Sequence, residues 1–435
     1  MTITIHRGNQ IGGCITQIES VKGSKIQIDF GHNLPEGDKP AYDKYDNETE
    51  LQKLLRGVSD IYYTHYHGDH IGFESKVDAL GVKQHIGELS LDMERTLKRH
   101  MRKAPVFEEN ANKSLEAFTK FTTYTANKTE KVGKNKDIEI TPYYVSHSAI
   151  DAHMFLIHCD GKYVLHTGDF RDHGYMGEGM LKVIKRLILP KHPVDVLITE
   201  GTMLSRSSEK VMTEKQLMQQ ARDIFEQYKY AFVLQSSTDA DRLVSFYLAT
   251  CPNYKKYKRW YGRMFVTDSY QKAQIKNFNR LEGPYKEVRS ANIWHKHEGM
   301  LYLMPKRGFT MLVRNSDTFK RLIDEIVPLI DLEKTVFIYS QWHGYIDPNG
   351  KSKNQSTIDF VHRYPWHFKE LHTSGHASKE ALEEVCTTLN PKSAIIPIHR
   401  DQKSDYKSLD IPQELKDRVY TESTTVDDIS INFRK

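Results

Sequence analysis

Four metal-competent side chains fall within the six residues His65-Tyr66-His67-Gly68-Asp69-His70. No other feature constrains the fold of this chain as tightly. The run follows the apolar, strand-like Ile61-Tyr62-Tyr63. In an extended segment, positions i and i+2 face the same side, so His65 and His67 can grip one ion. A turn at Gly68 then swings Asp69 and His70 toward a second. Neutral imidazole suits zinc, and a carboxylate accepts zinc, iron or manganese. The spacing predicts a strand that ends in a metal-binding loop.

Further donors stand at equivalent places. His147 follows the strand-like run Ile138 to Val145, Asp169 follows Tyr163 to Gly168, and His399 closes Ala394 to Ile398. Each donor sits where an apolar strand leaves its sheet, the place where open α/β proteins collect functional groups. The chain has 21 histidines, so one alone would say little. Together the seven side chains His65, His67, Asp69, His70, His147, Asp169 and His399 read as a two-metal site.

With these residues placed, the chain resembles the metallo-β-lactamase superfamily and, within it, the β-CASP nucleic-acid hydrolases. Asp29, in Ile26-Gln27-Ile28-Asp29-Phe30-Gly31, matches the early aspartate that supports the ligands from behind. The run from His65 to His70 matches the signature motif, and His147 and Asp169 match the third and fourth. Glu200, in Leu197-Ile198-Thr199-Glu200-Gly201-Thr202, looks like β-CASP motif A. His376, in His372-Thr373-Ser374-Gly375-His376-Ala377-Ser378, looks like motif B. His399 looks like motif C, where the RNA-directed members place a histidine and the DNA-directed, Artemis-like members typically place valine. The resemblance covers most of the chain, with the motifs in order.

The residues around these matches have readings of their own. Glu200 ends an apolar strand that starts near Val194. Ser378 is a helix N-cap with Glu380 in the first turn. Leu382, Val385, Cys386 and Leu389 then recur at helical spacing until Pro391. His376 is therefore expected on the loop entering a buried helix, and the strand after that helix delivers His399.

Composition fits a globular α/β chain. Of 435 residues, 38% are hydrophobic and 11% aromatic, enough for a core and too many for disorder. No run of about 18 apolar residues occurs, so no membrane-spanning helix is expected. The N-terminus alternates like a strand and lacks a signal-peptide core. Four scattered cysteines (Cys14, Cys159, Cys251, Cys386) without CxxC pairing predict a reducing, cytoplasmic setting. The net charge of +5 is too mild to identify a nucleic-acid partner by itself. Its distribution says more: Lys255 to Arg263 interleaves cations with aromatic rings, suited to phosphates and unpaired bases. Lys98 to Lys103 is a second basic run, expected at the exposed end of a helix.

The organisation predicts an insertion. Residues 1–203 read as strands, loops and ligand-bearing strands. From 204 the pattern resets to alternating helices and strands, among them Val211 to Tyr228, Ala231 to Leu234, Met264 to Thr267 and Gly308 to Val313. The chain returns to the first domain near Gln341 to Tyr345, so 204–345 form the insert and 346–435 complete the first domain. The resemblance implies a β-CASP cap inserted in a metallo-β-lactamase αββα sandwich, with substrate in the cleft between them.

The resemblance also implies a ligand allocation: His65, His67 and His147 on one ion, Asp69, His70 and His399 on the other, Asp169 bridging. Two ions about 3.5–4 Å apart stabilise both oxygens of a displacement and make hydroxide available at neutral pH. The implied reaction is phosphodiester hydrolysis leaving 5′-phosphate and 3′-hydroxyl ends, with Asp69, Glu200 and His376 as catalytic residues. His376, backed by Glu200, protonates the leaving oxygen or binds the scissile phosphate. Ser146, Ser148, Ser236 and Ser237 are candidate phosphate contacts, although loop hydroxyls also build turns. The expected function is a zinc-dependent ribonuclease acting on single-stranded RNA, as endonuclease or 5′-exonuclease, similar to ribonuclease J and the pre-mRNA 3′-end cleavage factor. The chain ends about 36 residues after His399, without room for the extra C-terminal domain of ribonuclease J. Assembly into a homo-oligomer or a processing complex is left open. The first alternative is an Artemis-like DNA nuclease, because Arg171 follows Phe170 as in those enzymes. A small-molecule metallo-hydrolase is the second.

Overall fold

The computed structural model describes residues 1–35, 42–206, 211–251, 262–420 and 428–433. The protein is a mixed α/β chain that divides into two compact units. The first is built from Met1–Leu34, Ala41–Lys210 and Gly375–Lys435, the second chiefly from Val211–Ser374.

The first unit holds two sheets. Seven strands form one of them: β1 (Thr2–His6), β2 (Ile15–Glu19), β3 (Lys25–Ile28), β4 (Val58–Tyr62), β5 (Lys83–Gly87), β6 (Thr122–Tyr124) and β19 (Asp428–Asn432). Their order is β19-β1-β2-β3-β4-β5-β6, antiparallel up to β3 and parallel from β3 to β6. The other sheet contains β7 (Glu130–Val132), β8 (Ile138–Tyr144), β9 (His153–Cys159), β10 (Lys162–His166), β11 (Val196–Glu200) and β18 (Ala394–Ile398). Its order is β18-β11-β10-β9-β8-β7.

The two sheets pack face to face. Ile3, Ile5, Ile26, Ile28 and Tyr62 from the first meet Ile140, Phe155, Ile157, Val196 and Ile198 from the second in one core. The period of two in the strands divides these residues from their neighbours. In β18, Ala394, Ile396 and Ile398 face the inner core while Ile395 faces outward. The outward side packs on the helix Lys379–Leu389 through Leu382, Val385, Cys386 and Leu389. The Ser378 hydroxyl caps that helix by accepting the Ala381 N–H at 3.1 Å, and Asn390 in left-handed conformation ends it before Pro391.

The second unit carries one parallel sheet: β12 (Tyr230–Leu234), β13 (Met264–Thr267), β14 (Ala291–Asn292), β15 (Phe309–Val313), β16 (Thr335–Tyr339) and β17 (His367–Glu370), in the order β14-β13-β15-β12-β16-β17. Helices alternate with the strands. The helix Glu214–Gln227 begins with a Thr213/Gln216 capping box, and Ser269–Phe278 with an Asp268/Gln271 box. This unit extends to Ser374, so the return to the first unit comes later than the sequence pattern near Tyr345 predicts. The reason is β17, which pairs in parallel with β16 but reads His-Phe-Lys-Glu, with no apolar run to announce a strand.

Of the two basic runs, Lys98 to Lys103 lies at the end of a helix as expected, apart from its first residue. Lys98 lies inside the helix Glu88–Met101 and turns inward, with Nζ 3.0 Å from Glu74 and 3.8 Å from Glu94. Arg99, Arg102 and Lys103 carry the exposure instead. Of the Lys255 to Arg263 run, residues 255–261 lie outside the described residues. Arg263 packs over the Phe225 ring and donates to the Phe225 carbonyl at 3.1 Å. Among the described residues, no helix is long and apolar enough to cross a membrane. The four cysteines are free thiols.

Candidate metal centre

Four strand ends deliver the donors. β4 leads into Thr64 and His65, β8 into His147, β10 into Asp169, and β18 into His399. Asp69 and His70 come from the short helical turn Gly68–Ile71. That turn is pinned against the end of β3: the Phe30 N–H donates to the His70 carbonyl at 2.7 Å and the His32 N–H to the Gly68 carbonyl at 3.0 Å. Gly31 lies between them, so close that a Cβ there would stand 1.9 Å from the Asp69 carbonyl carbon. Only glycine fits.

All seven expected ligands meet in the first unit. Donor atoms of His65, His67 and His147 lie within 4.8 Å of one another, as do those of Asp69, His70 and His399, and those of His65, His70 and Asp169. Asp169 Oδ2 stands 3.2 Å from His70 Nε2 and 3.5 Å from His399 Nε2. Asp169, Glu200, His376 and His399 form a further group within the same 4.8 Å limit.

Hydrogen bonds on the far side of each ring fix which nitrogen faces inward. The Thr64 hydroxyl donates to Asp29 Oδ2 at 2.8 Å, so it accepts from His65 Nδ1 at 3.0 Å. His147 Nδ1–H donates to the Gly375 carbonyl at 2.7 Å, and His70 Nδ1–H to Asp29 Oδ2 at 2.9 Å. The Thr202 hydroxyl donates to the His399 carbonyl at 3.0 Å and therefore accepts from His399 Nδ1 at 2.8 Å. In each case Nδ1 carries its proton outward, which turns Nε2 toward the other donors. The Nε2 atoms of His65 and His147 then face His67 Nδ1 at 3.1 and 3.2 Å. His70 Nε2 is buried without a hydrogen-bond partner, and the nearest groups are carboxylates. Converging lone pairs repel one another and the carboxylates unless a cation lies among them. The donor set therefore fits metal ions, and its nitrogen and oxygen composition suits zinc, manganese or iron.

Electrostatics divide the donors: against the lowering effect of burial, Asp169, Asp69 and Asp29 raise the His70 imidazole well above its ordinary range, whereas the other group of rings is held neutral. Burial pushes His65 and His147 well below the ordinary imidazole range, and His67 down to about 4. Burial leaves all three as neutral ligands. Burial opposes ionisation of Asp169, yet His399 and His70 hold its carboxyl well below the usual range. Cys14 lies beside the centre, its Sγ accepting the His399 N–H at 3.2 Å. Burial pushes its thiol up to about 12.

Glu200 and His376 adjoin the donors. His376 Nδ1 is 2.9 Å from Glu200 Oε2 and 3.6 Å from Asp169 Oδ2. Asp29, expected in support, accepts from the Thr64 N–H at 2.7 Å as well as from Thr64 Oγ1 and His70. Of the candidate phosphate contacts, Ser148 Oγ lies 3.5 Å from His147 Nε2, and the Ser146 carbonyl accepts the Arg171 N–H at 2.6 Å. Ser236 and Ser237 belong to the second unit, where Ser236 Oγ pairs with Thr238 Oγ1 at 2.9 Å and Ser237 Oγ accepts from Gln271 Nε2 at 3.3 Å. Sequence reasoning did not find Thr64, Thr202 or the Gly375 carbonyl as ring-orienting groups. A threonine hydroxyl or a backbone oxygen carries no signal in the sequence for such a role. Tyr66 was also missed; its hydroxyl accepts the Ile150 N–H at 3.0 Å and ties the His65–His70 loop to the loop of His147.

No protein-family model matches the sequence. Among solved structures the chain is similar to the crystal structure of a protein of unknown function from Enterococcus faecalis V583, at 18% identity and a TM-score of 0.67. The match covers 99% of each chain and so concerns the whole α/β fold.

Proposed function

We propose that this protein is a zinc-dependent nuclease of the β-CASP type that hydrolyses phosphodiester bonds in single-stranded RNA. In this reading the two face-to-face sheets form a metallo-β-lactamase αββα sandwich, and the parallel-sheet unit is the inserted β-CASP domain. The observation that carries it is the His376–Glu200 pair set beside two groups of inward-facing donors. The pair adds to the donors an imidazole held by its own buried carboxylate, a group suited to a phosphate or a leaving oxygen.

His65, His67 and His147 would hold one ion, and Asp69, His70 and His399 the other, with Asp169 between them. Bound ions supply a hydroxide at neutral pH and charge stabilisation for the phosphoryl oxygens. The protein's own residues do the rest. Asp29, Thr64, Thr202 and the Gly375 carbonyl keep the rings aimed inward. Glu200 raises the imidazole of His376 against the opposing effect of burial, so that Nε2–H is available to a phosphate oxygen or a leaving 3′-oxygen. Products carry 5′-phosphate and 3′-hydroxyl ends. A histidine rather than valine at position 399 supports RNA over DNA, and its ring joins the donor group.

The test is end-labelled single-stranded RNA bearing a 5′-monophosphate, 5′-triphosphate or 5′-hydroxyl, beside matched DNA, with and without chelator. RNA cleavage abolished by chelator is expected. Mononucleotide release that depends on the 5′ group identifies an exonuclease, and discrete fragments an endonuclease. Faster DNA cleavage, or cleavage indifferent to chelator, overturns the reading.

A further inference from the structure

Tyr144 is the last residue of β8, three positions before His147. Its strand neighbours Ile138 and Ile140, on the same pleat face, lie in the inner core. Tyr144 continues that face but is 49% exposed, whereas its cross-strand partner His153 is 1% exposed. The aromatic ring therefore emerges at the rim of the two-sheet core, at the edge where the metal donors leave their strands.

The ring is held in place from one side. Its centroid lies 4.4 Å from that of His153, at an interplanar angle of 37°. His153 is itself fixed: Nδ1 bonds the Asp151 carbonyl at 2.8 Å, its N–H donates to the Thr64 carbonyl at 2.9 Å, and the Tyr124 ring meets it edge-on at 5.0 Å. Thr64 directly precedes His65, so the support under Tyr144 connects to the metal loop through one hydrogen bond. The Tyr144 hydroxyl has no hydrogen-bond partner among the described residues.

The surroundings distinguish between ligands. Partial burial pushes the Tyr144 phenol up, and the carboxylates of Asp151 and Glu88 add to that effect. The Glu88 carboxylate and Asp151, whose own buried carboxyl is pushed up to about 7, disfavour an anion lying directly on the ring. They leave its open face to an uncharged planar group, and a nucleobase is such a group.

We infer that Tyr144 is a stacking platform for a nucleobase next to the scissile phosphate, and that it selects a polynucleotide strand over compact phosphodiesters. The inference rests on the nuclease reading above. Stacking adds affinity on the strand without touching the reacting atoms, so its loss raises KM for an oligonucleotide more than it lowers kcat.

The experiment compares a 5′-labelled RNA decanucleotide with bis(4-nitrophenyl) phosphate as substrates for the zinc-loaded full chain. Tyr144→Ala is expected to reduce kcat/KM on the decanucleotide about tenfold or more beyond any loss on the diester, chiefly through KM. Tyr144→Phe, which keeps the ring and drops the idle hydroxyl, restores wild-type behaviour. Equal losses on both substrates, no loss on the decanucleotide, or a Tyr144→Phe variant as poor as Tyr144→Ala overturns the inference while the nuclease reading stands. A wild-type protein that hydrolyses the diester but leaves the decanucleotide uncut removes both.

Discussion

Glu200 Oε2 accepts the Nδ1–H of His376 at 2.9 Å, while Oε1 of the same carboxylate accepts the backbone N–H groups of Phe170 at 2.9 Å and Ala377 at 3.3 Å. One buried acid thus fixes an imidazole and, through Phe170, the segment that carries Asp169. Glu200→Gln can still accept Phe170 and Ala377 through its amide oxygen, but its nitrogen can meet His376 Nδ1 only on a neutral ring, so the charge that holds the imidazolium is lost. In Glu200→Gln and in His376→Ala we predict that turnover falls about a hundredfold or more, with bound metal retained. The double variant should be little worse than either single one, since the pair acts as a unit. Multiplicative losses would contradict this.

Asp29 tests the donors from behind. Its carboxylate receives the Thr64 N–H, the Thr64 hydroxyl and His70 Nδ1–H. Asp29→Asn puts amide hydrogens where acceptors are needed and frees the His70 ring to turn. Metal affinity should drop by about 10–100-fold. Competition with a chromogenic chelator measures it, with two ions expected per wild-type chain. Unchanged affinity would show that His70 is oriented by something else.

Gly31 and Gly68 make a matched pair. An added methyl at Gly31 would meet the Asp69 carbonyl carbon at 1.9 Å, whereas one at Gly68 meets nothing within 4 Å. Gly31→Ala should abolish metal binding or folding, and Gly68→Ala should bind metal normally and melt within a few degrees of the parent. Thermal melts with and without zinc separate the outcomes.

Much of this site was legible because its donors occupy strand ends. His65 to His70, His147, Asp169 and His399 each follow a short apolar run, and two-residue alternation marks such runs in a single sequence. Ser378 as a helix cap and the Leu382, Val385, Leu389 stripe were readable for the same local reason. The orienting groups were not, because Thr202 meets His399 only after a separation of 197 positions. β17 escaped notice because a parallel strand with exposed His367 and Lys369 has no apolar signature. Lys98 misled because nothing local shows that Glu74 waits for it in the fold.

That same cluster gives stability a pH dependence. Burial pushes the Glu94 carboxyl from its ordinary 4.5 to about 7, against the Lys98 ammonium and with the help of Glu74. The folded-state value is raised, so between about pH 4.5 and 7 the folded chain keeps a proton that the unfolded chain gives up. Stability is therefore complete below that window and falls as pH rises through it, by up to about 3 kcal/mol. Glu94→Gln should remove this slope and gain on the parent at pH 8. Parallel denaturant curves for the two proteins across the window would rule it out.

His399 also sets a schedule. A polypeptide emerging from the ribosome possesses His65, His67 and His147 long before it possesses His399, with the whole parallel-sheet unit made in between. One donor group is complete early, but the other gains its last member only after the insert has been synthesised and the chain has come back. A centre that needs all seven donors is thus incomplete throughout most of its own translation.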